Sequence, residues 1–281
     1  MALAWLRYLG WPAADNLWRH EGAYLATLDV SYDDDATAVR RADIFVPARG
    51  DGPWPTVLFA HGGAWRAQHR RFVRWLTGLY SNVGAALATH DIATVVAGYQ
   101  QPPDGDGEDG LRDLAAACAW IRDAGDTHGL DPARLVIAGH SAGGHLAFAL
   151  ASDRDLLPEP PRAAISMAGF YDVARMAAGV GKHGPALRAL FGDSDEALAR
   201  RSPERSLPMP VPCLAMVGER DPAPLRAEFE ALKRAAAACG DDQLRLQTIA
   251  GATHMGLVGQ IGRATDRVTP LCVEFVRATC A

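Results

Sequence analysis

Residues 135–149, Leu-Val-Ile-Ala-Gly-His-Ser-Ala-Gly-Gly-His-Leu-Ala-Phe-Ala, restrict the fold more than any other stretch of the chain. A short apolar run, Leu135 to Ala138, stops at Gly139, and an Ala/Leu-rich helical pattern begins after Gly144. Between them lies Gly139-His140-Ser141-Ala142-Gly143, a G-x-S-x-G segment on a strand-to-helix turn. A serine at so sharp a turn must take a strained backbone conformation. Glycines two residues to either side let the adjoining segments pass without Cβ clashes. The turn lifts the hydroxyl above a sheet edge and aims it at a helix N-terminus, where free N–H groups and the helix dipole favour an anion. The competing reading is an ordinary glycine-rich βα loop, and the rest of the chain has to decide between them.

Strand and helix patterns alternate along the sequence. Segments at Ala42 to Val46, Thr56 to Ala60, Ala93 to Gly98, Leu135 to Ala138, Ala163 to Ala168, Cys213 to Gly218 and Leu244 to Ile249, most of them continuous apolar runs, read as strands. Helical spacing marks Phe72 to Thr89, Leu111 to Ala124, Gly144 to Ser152, Leu225 to Cys239 and Val268 to Ala278. Strands without polar alternation, separated by helices, predict an α/β fold with a mostly parallel sheet covered on both faces. At 281 residues one domain over the whole chain, 1–281, is expected. Residues 1–40, with Trp5, Trp11 and Trp18, and residues 171–208, with two short helical patterns, fall outside the rhythm. They read either as a small cap on the sheet or as a packed arm and an ordinary insertion. Pro102 to Gly107 reads as a polar loop, and Asp131-Pro132 as a short turn.

Composition narrows the partners. The chain is 49% hydrophobic and 22% charged with a formal net charge of −5, which gives no basic field for nucleic acid or an anionic membrane. No apolar window approaches a membrane span, and the first residues lack the positive start of a signal peptide, so a cytoplasmic location is expected. The five cysteines (118, 213, 239, 272 and 280) are odd in number and widely spaced, which supports neither a disulfide framework nor a zinc site. Most are expected in the core, with Cys280 exposed. Neither metal nor cofactor is expected. A homodimer through an edge strand or the last helix is an open option.

A serine hydroxyl needs a base within reach. His254, in Gly251-Ala252-Thr253-His254-Met255-Gly256, follows the last expected strand and is the leading candidate. His61 and His140 flank their motifs as turn buttresses, and the other histidines lie in arm, loop or helix contexts. The base in turn needs a carboxylate to fix its tautomer. Asp221, in Val217-Gly218-Glu219-Arg220-Asp221-Pro222, gives the chain order Ser…Asp…His; Glu219 and Asp172 are rivals, while Asp193 and Asp195 read as turn or capping residues. His61-Gly62-Gly63-Ala64-Trp65 follows a strand, so the N–H groups of Gly63 and Ala64, with that of Ala142, could hold a developing oxyanion, while Gly62 makes the turn. Trp65 reads equally as a pocket wall or a core anchor.

Taken together, these residues resemble the α/β-hydrolase superfamily over roughly residues 40–280, in its esterase/lipase branch with a His-Gly-Gly loop. The closest pattern is that of kynurenine formamidase-like enzymes and small carboxylesterases. Ala64 stands where hormone-sensitive-lipase-like esterases carry a third glycine, and His140 where they carry an acidic residue. Formamidases usually show an aromatic residue at the position of Ala64 and Phe at that of Met255. The resemblance implies an α/β-hydrolase fold and a cofactor-independent serine hydrolase with catalytic Ser141, Asp221 and His254, an oxyanion hole of Gly63, Ala64 and Ala142, and substrate contacts from Trp65 and His140. It implies a small-molecule substrate, a carboxylic ester first and an N-formylkynurenine-type formamide as the alternative. Acyl transfer and a non-catalytic binding role on the same fold are the remaining options.

Overall fold

The computed structural model describes residues 23–33, 39–72, 78–179 and 183–281. Eight strands form one sheet: β1 (Tyr24–Ser31), β2 (Arg41–Pro47), β3 (Trp54–Ala60), β4 (Ala93–Ala97), β5 (Leu130–His140), β6 (Ala163–Met167), β7 (Cys213–Gly218) and β8 (Leu244–Ile249). Their order is β1-β2-β4-β3-β5-β6-β7-β8. Pairing is antiparallel for β1–β2 and β2–β4 and parallel from β4 through β8. The helices are α1 (Ser81–Ala88), α2 (Gly107–Ala124), α3 (Ala142–Ser152), α4 (Val173–Ala178), α5 (His183–Phe191), α6 (Asp195–Arg200), α7 (Ala223–Cys239), α8 (His254–Gly259) and α9 (Thr269–Thr279).

The two faces of the sheet follow the two-residue period of a strand. On β3, Val57 and Phe59 pack with Val83 of α1 and Val276 of α9, whereas Leu58 and Ala60 pack with Leu114 of α2 and Leu146 of α3. Helix α3 is buried from Ala142 to Ala151, as its apolar sequence on all sides requires. The parallel register sets Ala60 of β3 beside Gly139 of β5, and His140 beside Met167 of β6. Gly218 of β7 lies beside Ile249 of β8. The carboxyl ends of β3, β5, β7 and β8 therefore open on one edge, where open α/β sheets bind ligands.

All seven expected strands are present. Strand β1 is an additional one, placed by the sequence reading in an arm; its side chains are mostly exposed, and two apolar ones, Leu25 and Leu28, face outward, so no inward stripe announced it. Trp5, Trp11 and Trp18 lie outside the described residues. Of the helix expected over Phe72 to Thr89, residues 73–77 lie outside the described residues; Gly78 and Tyr80 take positive φ, and α1 covers Ser81–Ala88. Helix α2 starts earlier than expected: Asp106, read as loop, accepts from the N–H groups of Glu108 and Asp109 while Asp109 caps back. Asp131-Pro132 lies inside the long strand β5. The 171–208 segment holds three short helices rather than two, followed by a 3₁₀ turn at Pro203–Ser206. Cys280 is buried, and Cys239 is the exposed cysteine. Among the described residues no helix is long and apolar enough to cross a membrane.

Candidate active site

Ser141 takes φ 56° and ψ −119° at the head of α3, the strained conformation expected of the turn. A Cβ on Gly139 would stand 2.2 Å from the Gly143 carbonyl oxygen, and one on Gly143 2.2 Å from that of Ala60. Gly143 thus lets the turn pack directly on the end of β3. The Ser141 N–H donates to Met167 O at 2.8 Å, which ties the turn to β6 as well. The serine is buried, 8% exposed.

His254 is the first residue of the short helix α8, not a loop residue as expected; Thr253 caps that helix by accepting from Gly256 N–H. Its Nδ1 donates to Asp221 Oδ1 at 2.9 Å. The second oxygen of Asp221 accepts from Gly218 N–H at 2.5 Å, and its side chain is fully buried. The rivals lie elsewhere. Glu219 accepts from Gly251 N–H and so braces the loop before His254. Asp172 caps α4 and sits with Arg175 and Arg205.

His140 connects the nucleophile turn to the histidine. Its Nε2 donates to the His254 carbonyl at 3.0 Å, and the two rings meet at a 39° tilt with centroids 4.7 Å apart. Burial pushes its pKa well below the ordinary histidine value, so it stays neutral. It is 1% exposed, and its ring faces His254. No hydrogen bond joins the Ser141 hydroxyl to His254 among the described residues, a looseness common before substrate binds.

The loop after β3 carries three consecutive positive φ values: Gly63 at 123°, Ala64 at 53° and Trp65 at 58°. Gly62 N–H donates to the Tyr80 hydroxyl at 3.0 Å, as expected for a residue that makes the turn, and Tyr80 donates to Gln68 Oε1 at 2.6 Å. Among the described residues the N–H groups of Gly63 and Ala64 have no protein acceptor. Ala142 opens α3, so its N–H is free of intrahelical bonding. His61 is a buttress: it stacks on Tyr99 at 4.3 Å and donates from Nδ1 to Gly62 O, and burial lowers its pKa to about 4. Trp65 is placed as a core residue would be. It is 5% exposed and packed against His145, Phe170 and Phe191. Sequence reasoning passed over Tyr80 and placed His145 only on the helix after the nucleophile turn; the contacts of both are long-range.

The comparisons agree with this architecture. The BD-FAE family model matches residues 42–186, just over half of the chain. A probable isoprenylcysteine alpha-carbonyl methylesterase of Arabidopsis thaliana is 30% identical over 107 residues, which are 38% of this chain and 21% of that protein. The carboxylesterase/phospholipase LipF of Mycobacterium tuberculosis is 30% identical over 129 residues, 44% of this chain and 31% of its own length. The matched segment therefore spans less than a third of either relative. Among solved structures, an inhibited esterase B of Lactobacillus rhamnosis superposes with a TM-score of 0.79 at 18% identity, covering 99% of this chain and 93% of that one. A carbohydrate esterase from gut microbiota superposes at 0.75 and 19%, covering 92% and 98%. With the family model, the sheet order and the nucleophile turn in agreement, the chain belongs to the BD-FAE family, in the esterase/lipase branch of the α/β-hydrolases.

Proposed function

We propose that the protein is a serine hydrolase that cleaves small carboxylic esters through an acyl-enzyme. The observation that carries this reading is the Asp221–His254 pair at 2.9 Å, held by His140 against the turn that bears Ser141. Asp221 keeps the His254 proton on Nδ1, which leaves Nε2 basic. Ser141 Oγ forms a bond to the acyl carbon as its proton passes to His254 Nε2. The carbonyl oxygen becomes an oxyanion facing the N–H groups of Gly63, Ala64 and Ala142. Collapse breaks the bond to the leaving oxygen, which takes the proton from His254. Water, deprotonated by the same histidine, then attacks the acyl-enzyme, and Ser141 recovers its proton as the acid departs.

The relatives named above are esterases, which favours the ester over the formamide alternative. Ser141→Ala should lower turnover of p-nitrophenyl acetate by about 10⁴-fold or more with an unchanged circular dichroism spectrum. A fluorophosphonate should label Ser141 in the wild type only. Turnover that survives the substitution would refute the assignment.

A further inference from the structure

The oxyanion loop holds two non-glycine residues, Ala64 and Trp65, in the left-handed region. Each such residue costs about 1 kcal/mol or more, so the surroundings must hold the conformation in place. One brace is local: Arg66 and Ala67 N–H both donate to Gly63 O. Another comes from a distance. The Trp65 indole N–H donates to His145 Nδ1 at 3.1 Å. His145 Nε2 then donates to the Arg201 carbonyl at 2.7 Å. The order of donors is forced, because an indole has no acceptor and a carbonyl no donor. Only a neutral His145 with its proton on Nε2 satisfies both bonds. The imidazole is fully buried, and Phe191 packs edge-on against both rings.

The far end of this strut is anchored. Arg201 follows α6, and its guanidinium is 8% exposed; Nε meets Glu108 of α2 at 2.5 Å, and Nη1 meets Asp153 at the end of α3. Glu108 stands in the first turn of α2. The strut therefore ties the strained loop to three helices, none of which carries a proposed catalytic side chain.

We infer that His145 is a positioning residue for the oxyanion hole, aligning the N–H groups of Gly63 and Ala64 through the Trp65 ring. The inference rests on the serine-hydrolase reading. Its action is selective for the transition state, because a misplaced donor weakens binding of the tetrahedral oxyanion more than that of the planar ester.

The test measures steady-state kinetics on p-nitrophenyl acetate, inhibition by phenylboronate (which gives a tetrahedral adduct on serine) and fluorophosphonate labelling. His145→Leu removes both bonds, Trp65→Phe removes only the indole donor, and His145→Gln restores one acceptor and one donor. For His145→Leu and Trp65→Phe, kcat should fall about 10- to 100-fold, a fraction of the loss on deleting a donor outright, with KM within about threefold. The boronate Ki should rise by the same factor as kcat falls, and His145→Gln should recover most of both. Variants that melt earlier yet keep kcat and the boronate Ki within twofold would overturn the positioning role while labelling of Ser141 upholds the serine reading. A wild type that fails to label would overturn both. Should His145→Leu not fold, Trp65→Phe alone decides.

Discussion

Two strained turns meet at the edge of the sheet, and they are held in different ways. At Ser141 one residue takes positive φ between two glycines, and close backbone packing against the end of β3 leaves little alternative. At Gly63–Trp65 three residues in a row take positive φ, but only one is glycine. There the conformation depends on side chains from other elements: the Tyr80 hydroxyl, His61 stacked on Tyr99, and the Trp65–His145 pair. Strain enforced by main-chain packing is compact and local. Strain enforced by side chains is distributed and sensitive to each partner.

That contrast can be broken by experiment. The largest effect is expected at the nucleophile turn. In Gly143→Ala the new methyl would lie 2.2 and 2.4 Å from the carbonyl oxygens of Ala60 and His61, which cannot move without shifting β3. A stability loss of about 3 kcal/mol or more, read from urea unfolding, is expected. A variant as stable as the wild type would show that packing does not enforce this turn.

Acid should come next, and it weighs more on the loop side. Burial lowers the pKa of both His61 and His145 from 6.5 to about 4, so between these values the unfolded chain binds protons that the folded one does not. Each histidine therefore withdraws stability as pH falls, about 2 kcal/mol by pH 5 and about 3 kcal/mol by pH 4, with little further loss below. Urea midpoints at pH 7 and pH 5 measure the sum, to which the buried neutral His140 adds, and His145→Gln should reduce the slope without abolishing it. A profile level from pH 7 to 5 would mean that neither histidine is held neutral.

The smallest change is expected for Tyr80→Phe. It leaves the Gly62 N–H and Gln68 without their partner, at a cost of about 1 to 2 kcal/mol, and should lower kcat less than tenfold. A loss of kcat as large as that from Ser141→Ala would place Tyr80 in the chemistry rather than behind the loop.

The same contrast explains what the sequence disclosed. Strands β3 to β7 were legible because each carries an apolar run with both faces covered, and the Gly139–Gly143 turn because main-chain packing selects glycine at fixed spacing. Chain order suggested the pairing of Asp221 with His254, whose side chains meet at 2.9 Å. Strand β1 was not legible, since an exposed edge strand needs no apolar stripe. The surroundings of Trp65 and His140 were not legible for a related reason. An aromatic or imidazole beside a motif reads as a substrate contact, and only tertiary partners reveal that Trp65 faces His145 and His140 faces the His254 carbonyl. Tyr80 and His145 act across 18 and 80 residues of chain on Gly62 and Trp65, separations that no local pattern encodes.

The sheet order also gives the two proposed partners in proton transfer unequal protection. Ser141 follows β5, which is paired on both sides, whereas His254 follows β8, which among the described residues is an edge strand bonded only to β7. Local opening begins where backbone bonds are fewest and most exposed, and β8 has one fully buried residue, Ile249. Fraying from that edge would carry the base away while the nucleophile stayed folded in its turn. On mild warming, the thermal limit of the chemistry is then set by the outermost strand, below the temperature at which the central sheet comes apart.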